Sequence, residues 1–571
     1  LQIQLRQPSI TTSLSAELPA LLDRLYRNRG VTDLDQVSVS TSQLIHYDKL
    51  HNSSLASTIL AQAMQANKKI CIIGDFDADG ATSTAICMLA FEMFAYSNID
   101  YLVPNRFDFG YGLSPEIVEL AYQQGAQVLI TVDNGIACLA GVERAKSLGL
   151  TVVITDHHLP GEHLPAADVI VNPNQPSCNF ESKNLAGVGV AFYVMLALKA
   201  TLARLDWFSN KQITAPNLAS LLDIVAIGTV ADVVPLDRNN RILVHQGLQR
   251  IRSGKTRPGI KALLEIAQRD KHRISAVDLG FVIGPRLNAA GRLEDMSLGI
   301  ECLICTNAQA ARSIALQLDE LNQARKTIET GMQEQAQVVL SKLSMQAQEL
   351  PSGLVLYDED YHQGVIGIVA GRIKEKHNRP TIVFAKDSGG LIKGSARSIN
   401  GVHVRDLLEN INSQNPGIIT KFGGHAMAAG LTIEHSNLVS FKQAFEKAAK
   451  ALMAHLPKQA CVFSDGELSS SDINLQNAEL LKLHIPWGQQ FEEPMFDGIF
   501  NIRSQKIVGE KHLKMVVSSK SQEFDAIAFN VDVNLWPNVQ LNKVRLVYKL
   551  DVNVFRGNVS VQLLVDHLEP A

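Results

Sequence analysis

Three carboxylates in five residues, Asp75, Asp77 and Asp79, follow the short apolar run Cys71-Ile72-Ile73-Gly74. At that density they repel one another unless hydrogen bonds or cations hold them. Farther along, Asp133 in Val132-Asp133-Asn134-Gly135, the triplet Asp156-His157-His158, and Asp232 supply more oxygen and imidazole donors. Carboxylate and imidazole without thiolate suit magnesium or manganese, and the imidazole tilts the choice toward manganese. Two such ions sharing a carboxylate would activate water and clamp the attacking and leaving oxygens of a phosphoryl centre.

Each segment taken alone has a plainer reading. The first is comparable to a calcium loop, although it lacks the closing glutamate of an EF-hand and a strand precedes it. Asp133 fits an Asx-turn and Asp232 a loop cap. Adjacent imidazoles after Val152-Val153-Ile154-Thr155 are the sharper signal, because packing rarely requires them; solvent-facing loop histidines are the alternative.

The elements that must position these donors are visible as β-branched runs alternating with helical stretches. The runs are Ile70–Gly74, Ile99–Val103, Val128–Val132, Thr151–Thr155 and Val169–Val171. Continuously apolar strands in a βαβ rhythm predict a doubly wound, mostly parallel sheet, whose ligands gather at the carboxyl ends of the strands. Asp75, Asp133 and Asp156 each follow such a run. From Thr306 to Leu343 there is no Pro and one Gly, and apolar residues at Ile314, Leu318, Leu321, Ile328, Met332 and Val339 predict a long helix. Arg325 falls on that stripe and reads either as a snorkelling side chain or as one aimed at a phosphate.

Pro351-Ser352-Gly353 ends the helix, and a smaller α/β domain begins at Leu354, with a strand at Pro380–Phe384 and a turn at Gly394–Ser398. After Pro457, short strands with hairpin signals predict an OB-like β-barrel. Arg503, Lys506, Lys511, Lys514 and Lys520 would give it a basic strip, with Phe500 and Trp487 as stacking faces for nucleic acid. The expected domains are a peripheral helical extension over 1–48, the donor-bearing domain over 49–245, a helical region with the connecting helix over 246–350, the smaller domain over 351–457 and the barrel over 458–571.

With 571 residues, 46% hydrophobic and 19% charged, the chain can bury several large cores. A net charge of −4 argues against coating duplex DNA by bulk positive charge, so any nucleic-acid contact is local. Leu1 to Ile10 lacks the apolar core of a secretory signal, and no segment approaches the apolar length of a membrane span. Seven scattered cysteines point to a reducing cytoplasm, and the lone pair Cys302 and Cys305 reads as buried helix cysteines.

Taken in order, these segments resemble the DHH phosphoesterase family, named for the triplet seen here as Asp156-His157-His158. The Asp75-Phe76-Asp77-Ala78-Asp79-Gly80 form of the first motif, Gly228–Leu236, Gly284–Arg292 and Gly423-Gly424-His425 look like its single-strand-specific exonuclease branch. The resemblance runs from about Ser40 to the end. It implies an α/β fold: a DHH domain joined by the long helix to a DHHA1 domain, plus the OB-like barrel. It also implies two divalent ions, manganese or magnesium. Asp75 would serve one ion, Asp77, His157 and Asp232 the other, and Asp133 would bridge them. His158 and His425 would meet the substrate phosphate, supported by Asp79 and Asp156. Ser395 and Arg397, with Arg106, would hold a 5′-terminal phosphate; Gly423 and Gly424, beside His425, would let backbone approach the substrate phosphate; Arg286, Asn288, Arg292 and Arg325 would line the strand. Many relatives outside this branch carry histidine four residues before the first aspartate, where this chain has Cys71, and that leaves one ion's coordination open.

The implied activity is 5′ to 3′ hydrolysis of single-stranded DNA to mononucleotides in repair and recombination, with a single-strand-binding protein and a helicase as possible partners and no membrane. The rival readings are a phosphoesterase of short oligonucleotides or cyclic dinucleotides, and an inactive DNA-binding adaptor.

Overall fold

The structure is a computed structural model that describes residues 2–105, 112–347, 350–456, 461–520 and 522–571, with the side chains of 343–347 outside the description. The first strand, β1 (Gln2–Leu5), precedes the main sheet, which is formed by β2 (Ile70–Ile73), β3 (Ile99–Leu102), β4 (Val128–Val132), β5 (Thr151–Thr155) and β6 (Val169–Val171). These five are parallel in the order β3-β2-β4-β5-β6. Every residue of β2, β4 and β6 is buried, as expected of strands covered on both faces. One face packs Ile117, Val118, Val142 and Ala145 of two short helices against Leu129, Val152 and Ile154. The helices Ala78–Met93, Gly187–Arg204 and Leu222–Ala231 pack on one another in a second layer. The doubly wound parallel sheet is therefore as expected.

Gly187–Arg204 corrects one expectation, since by length and composition it could cross a membrane. It is mostly buried inside the protein, and an apolar helix surrounded by other apolar elements is the ordinary central helix of a large core.

The long helix spans Ala308–Ala347, 40 residues. The second sheet contains β7 (Leu354–Asp358), β8 (Thr381–Lys386), β9 (Leu391–Arg397), β10 (Lys421–Gly424) and β11 (Ala428–Glu434) in the order β10-β11-β9-β8-β7. Only the β7–β8 pair is parallel. The expected turn at Gly394–Ser398 is mostly strand β9. Gly394 lies there because the Phe384 ring occupies the space a Cβ would need, its nearest atom 2.5 Å away. Phe384, Phe441 and Phe445 centre this core.

After β12 (Cys461–Ser464), the strands β13 (Phe496–Val508), β14 (His512–Ser519), β15 (Gln522–Ala528), β16 (Lys543–Phe555) and β17 (Asn558–Pro570) close a barrel in the order β13-β14-β15-β17-β16. Phe500 and Trp487 do not serve as stacking faces. Phe500 packs edge-on to Phe524 and Tyr548 inside the barrel, and Trp487 stacks on Phe491 at 5.1 Å. Both are large apolar side chains that folding has buried.

The N-terminal segment is more than peripheral. Strand β1 pairs in parallel with β12. Arg29 makes a fully buried fork to Asp465 at 2.9 and 3.0 Å, and Arg241 donates to the Gln36 carbonyl. The chain accordingly divides into two compact units. One comprises Leu1–Asn288, Asp295–Gln317 and Cys461–Ala571; the other comprises Ala289–Glu294 and Leu318–Ala460.

Candidate metal centre

The donors sit where the parallel strands end. Beyond β2, Asp75 is 2% exposed and accepts from the Phe76 amide. Asp77 is the N-cap of the Ala78–Met93 helix, accepting with Oδ1 from the Asp79 and Gly80 amides at 2.9 and 3.0 Å. A cap of this type satisfies helix donors with one oxygen and leaves the other for a cation. Asp79 lies two residues on, in the first turn of that helix. Its carboxylate accepts from the Gly187 and Val188 amides at 2.7 and 2.9 Å, fixing the start of the Gly187–Arg204 helix. A buried anion at a helix N-terminus meets both aligned donors and the helix dipole.

Asp133 follows β4 with φ of 61°, a left-handed conformation uncommon outside glycine. Its amide donates to the Thr155 carbonyl, and Asn134 Nδ2 donates to the carbonyls of Ile73 and Val132. Three strand ends are thereby tied together. Beyond β5, Asp156 Oδ1 accepts from the His157 and His158 amides and contacts His158 Nδ1 at 2.8 Å, while Oδ2 accepts from the Ile136 amide. Asp156 is thus the clamp that fixes the His158 ring. Asn172 and Asn174, which sequence reading passed over, donate to the carbonyls of His158 and His157. Their only signal was the Asn-Pro-Asn turn that follows β6.

His157 Nε2 lies 3.2 Å from Asp133 Oδ1 and 3.4 Å from Asp232 Oδ2, so residues far apart in sequence converge. Among the described residues three donor sets form, each with atoms within 4.8 Å of one another: Asp75, Asp77 and Asp133; Asp79, His157 and Asp232; and Asp133, His157 and His158. Asp133 recurs in two sets, the position a bridging ligand needs. Asp77 falls with Asp75, whereas the resemblance had grouped it with His157 and Asp232.

Electrostatics agree with a cation site. Burial, then the neighbouring carboxylates, raise Asp133 and Asp232 well above the ordinary carboxylate range. Asp79 is pushed up to about 7 by burial and then by Asp77, against the opposing pull of its two amide bonds. So many close carboxylates cannot all ionise without positive charge among them, and divalent ions supply it. Burial opposes the charge on His158, yet its contact with Asp156 prevails and takes the ring up to about 9. Cys71 is packed in the apolar cluster beside Leu129 and Val152, its thiol pushed up to about 12 by burial, and it turns no donor toward the aspartates. Cys302 is likewise buried, with Cys305 half-buried.

Asn288 Oδ1 accepts from the Ala78 amide at 2.8 Å, so it props the first aspartate loop. Arg286 donates to the carbonyl of Val282, in the π-helical turn that precedes its helix. In the second unit, Arg292 donates to the Gly364 carbonyl. Arg325 is 8% exposed and binds Glu329 and Asn322, which makes it part of a buried network instead of a strand-lining residue. Arg397 donates to Ser395 Oγ at 3.0 Å, with Gly367 close against both. Gly423 and Gly424 end β10, and His425 follows in the turn to β11, its amide donating to the Ala428 carbonyl. A Cβ on Gly424 would lie 2.4 Å from Ala429 Cα. Arg106 lies outside the described residues.

Three family models match the chain: the DHH family N-terminal domain over residues 69–229, the DHHA1 domain over 350–452 and the RecJ OB domain over 464–567. The single-stranded-DNA-specific exonuclease RecJ of Escherichia coli (strain K12) is 53% identical over 573 residues, covering 100% of this chain and 99% of that protein. The crystal structure of RecJ in complex with Mn2+ from Thermus thermophilus superposes with a TM-score of 0.79 at 26% identity, covering 100% of this chain and 80% of that one. The Mg2+ complex from the same organism gives 0.73 at 25% identity, covering 100% and 78%. The converging donors, the three matching domains and the full-length likeness have one reading: the chain belongs to the RecJ family of DHH proteins.

Proposed function

We propose that this chain is a metal-dependent exonuclease that hydrolyses single-stranded DNA from the 5′ end and releases mononucleotides, acting in DNA repair and recombination. The observation that carries the reading is the donor set Asp75, Asp77, Asp133, His157 and Asp232, buried or half-buried and crowded into overlapping groups where the parallel strands and the Leu222–Ala231 helix end. Those residues would hold two divalent ions, manganese or magnesium, which when bound supply activation of water and neutralise charge on the departing oxygen.

The chain's own residues do the rest. Asp156 orients His158 through Nδ1, so that Nε2 can donate to a phosphate oxygen. Asp79 anchors the helix start beside Asp133 and keeps that carboxylate in place. Ser395 and Arg397, with Arg106, would take the terminal phosphate, for which Arg397 offers a planar fork; His425 would meet the substrate phosphate, where Gly423 and Gly424 admit close backbone approach. Arg286 and Arg292 would contact the strand. The barrel, closed and carrying Arg503, Lys506 and Lys514 on β13 and β14, would hold the strand beyond the site, which favours long substrates over dinucleotides.

The test compares strands labelled at the 5′ or the 3′ end, single or duplex, with manganese, magnesium or chelator. Early release of the 5′ label as mononucleotide from single strands alone, abolished by chelator, is expected. Early release of the 3′ label, or equal attack on duplex, would overturn the assignment.

A further inference from the structure

Arg241 carries a buried charge that no carboxylate among the described residues neutralises. It lies in the helix Arg238–Arg252, is 7% exposed, and makes two hydrogen bonds, both at 2.6 Å and both to neutral carbonyls, those of Leu236 and Gln36. Its guanidinium covers the Phe491 ring, 4.2 Å from the centroid, and its Nε is buried without a hydrogen-bond partner. Burial pulls the group down to about 10, against the opposing pull of Asp237 and Tyr26, and Arg238 adds to the fall. A buried cation without a counterion is costly, and carbonyls and a ring face offset that cost only in part.

The guanidinium lines a cavity of about 270 Å³ in the first unit, together with Arg29, Arg238 and Asp237. Arg29 is fully engaged by Asp465 and by the carbonyls of Leu25 and Glu492. Arg238 is exposed, and its one bond goes to the neutral side chain of Gln43, so its charge also lacks a counterion. Asp237 turns its carboxylate to other donors. Oδ1 caps the helix at the Asn240 amide, 3.0 Å away, and Oδ2 accepts from Ser182 Oγ at 2.7 Å and Asn184 Nδ2 at 3.2 Å.

Two guanidiniums with unused N–H groups therefore face one small cavity. Planar forks of this kind match oxyanions. A carboxylate fills one fork with its two oxygens, whereas a phosphate has a third oxygen for the second fork and carries close to two negative charges near neutral pH.

We infer that this cavity is a binding site for a small phosphate dianion, either inorganic phosphate or the phosphate of a mononucleotide. Arg241 is its buried anchor and Arg238 its outer clamp. The site uses none of the residues of the metal centre or of the proposed terminal-phosphate pocket, and it does not depend on the exonuclease activity.

The experiment titrates inorganic phosphate calorimetrically, at fixed ionic strength and with chelator present, into the full chain carrying Arg397→Ala, so that neither the metal centre nor the terminal-phosphate pocket contributes. One phosphate per chain is expected. Adding Arg241→Met should weaken it by about tenfold to a hundredfold, the range for a lost hydrogen bond to a charged group. Adding Arg238→Ala should weaken it by about fivefold and, because that side chain is exposed, should leave urea unfolding in the absence of phosphate unchanged. Thymidine 5′-monophosphate should compete for the same site; tighter binding than phosphate names a nucleotide as the ligand, and equal binding names free phosphate. Absence of bound phosphate, or binding that neither variant weakens, would overturn the inference. Displacement of phosphate by a nuclease-resistant single strand without terminal phosphates would overturn it too, since the cavity would then belong to the path of the strand.

Discussion

Gly187 is the residue through which the support of the metal centre can be tested without touching a donor. A Cβ built there would lie 2.5 Å from Asp133 Cβ and Oδ1 and 2.7 Å from Cγ. Ordinary contact begins near 3.4 Å, so Gly187→Ala must open a gap of roughly an ångström. The helix cannot easily recoil, because the Gly187 and Val188 amides are held by Asp79 at 2.7 and 2.9 Å. Nor can the Asp133 backbone, fixed at φ of 61° with its amide on the Thr155 carbonyl. The Asp133 carboxylate is therefore the group that must give way. We expect a loss of stability of about 1–3 kcal/mol from overpacking and a fall in manganese affinity of about 10–100-fold, as for other perturbed ligand supports. Calorimetric manganese titration and urea unfolding read the two effects. Gly331→Ala is the control: nothing lies within 4 Å of that exposed position on the long helix, and the change should stabilise by about 0.5–1 kcal/mol. If Gly187→Ala bound manganese as tightly as the wild type and unfolded at the same urea concentration, the reasoning about Asp133 would be wrong.

Removing one partner of the buried Arg29–Asp465 fork, as in Asp465→Ala, should cost about 3–5 kcal/mol in urea unfolding, since an unpaired guanidinium is left inside; a loss below about 1 kcal/mol would count against the N-terminal segment as a structural strap. Arg325→Met should lower stability by roughly 1–3 kcal/mol, with Glu329 retaining Arg372 at 3.2 Å, and should not change the salt dependence of strand binding as loss of a phosphate contact would. His245 is pushed down to about 4 by burial, then by Arg252 and His484, from an ordinary 6.5. Its neutral form therefore contributes stability in full above the ordinary value, and that contribution is lost as pH falls toward about 4, by roughly 3 kcal/mol. Unfolding free energies across that range should fall less steeply for His245→Gln than for the wild type, and identical slopes would exclude the histidine as a cause.

What the sequence made legible follows the range of the forces involved. The runs that became β2, β4 and β5 announced themselves because strands buried on both faces must be continuously apolar, and the aspartates at their ends stood out against that background. Asp156-His157-His158 was legible for the same reason. Long-range polar contacts left no such trace: Arg29 and Asp465 are 436 positions apart, and nothing local to either marks the other, so the N-terminal segment read as peripheral. Aromatic residues were legible as apolar mass without a direction. Phe500 and Trp487 turned inward, while Phe281, unremarked in sequence, turned out. Arg325 on an apolar stripe was correctly ambiguous, and the partner that settles it, Glu329, is only one helical turn away. The role of Asp79 depended on the start of a helix more than a hundred residues later, which no spacing rule within its own motif could reveal.

On this account the crowded carboxylates and imidazole would form one two-ion centre joined at Asp133. Manganese titration of the wild type and of Asp133→Ala tests it most directly. Two ions per wild-type chain are predicted, with loss of at least one of them in the variant. A single ion in the wild type, or an unchanged count and affinity in Asp133→Ala, would contradict it.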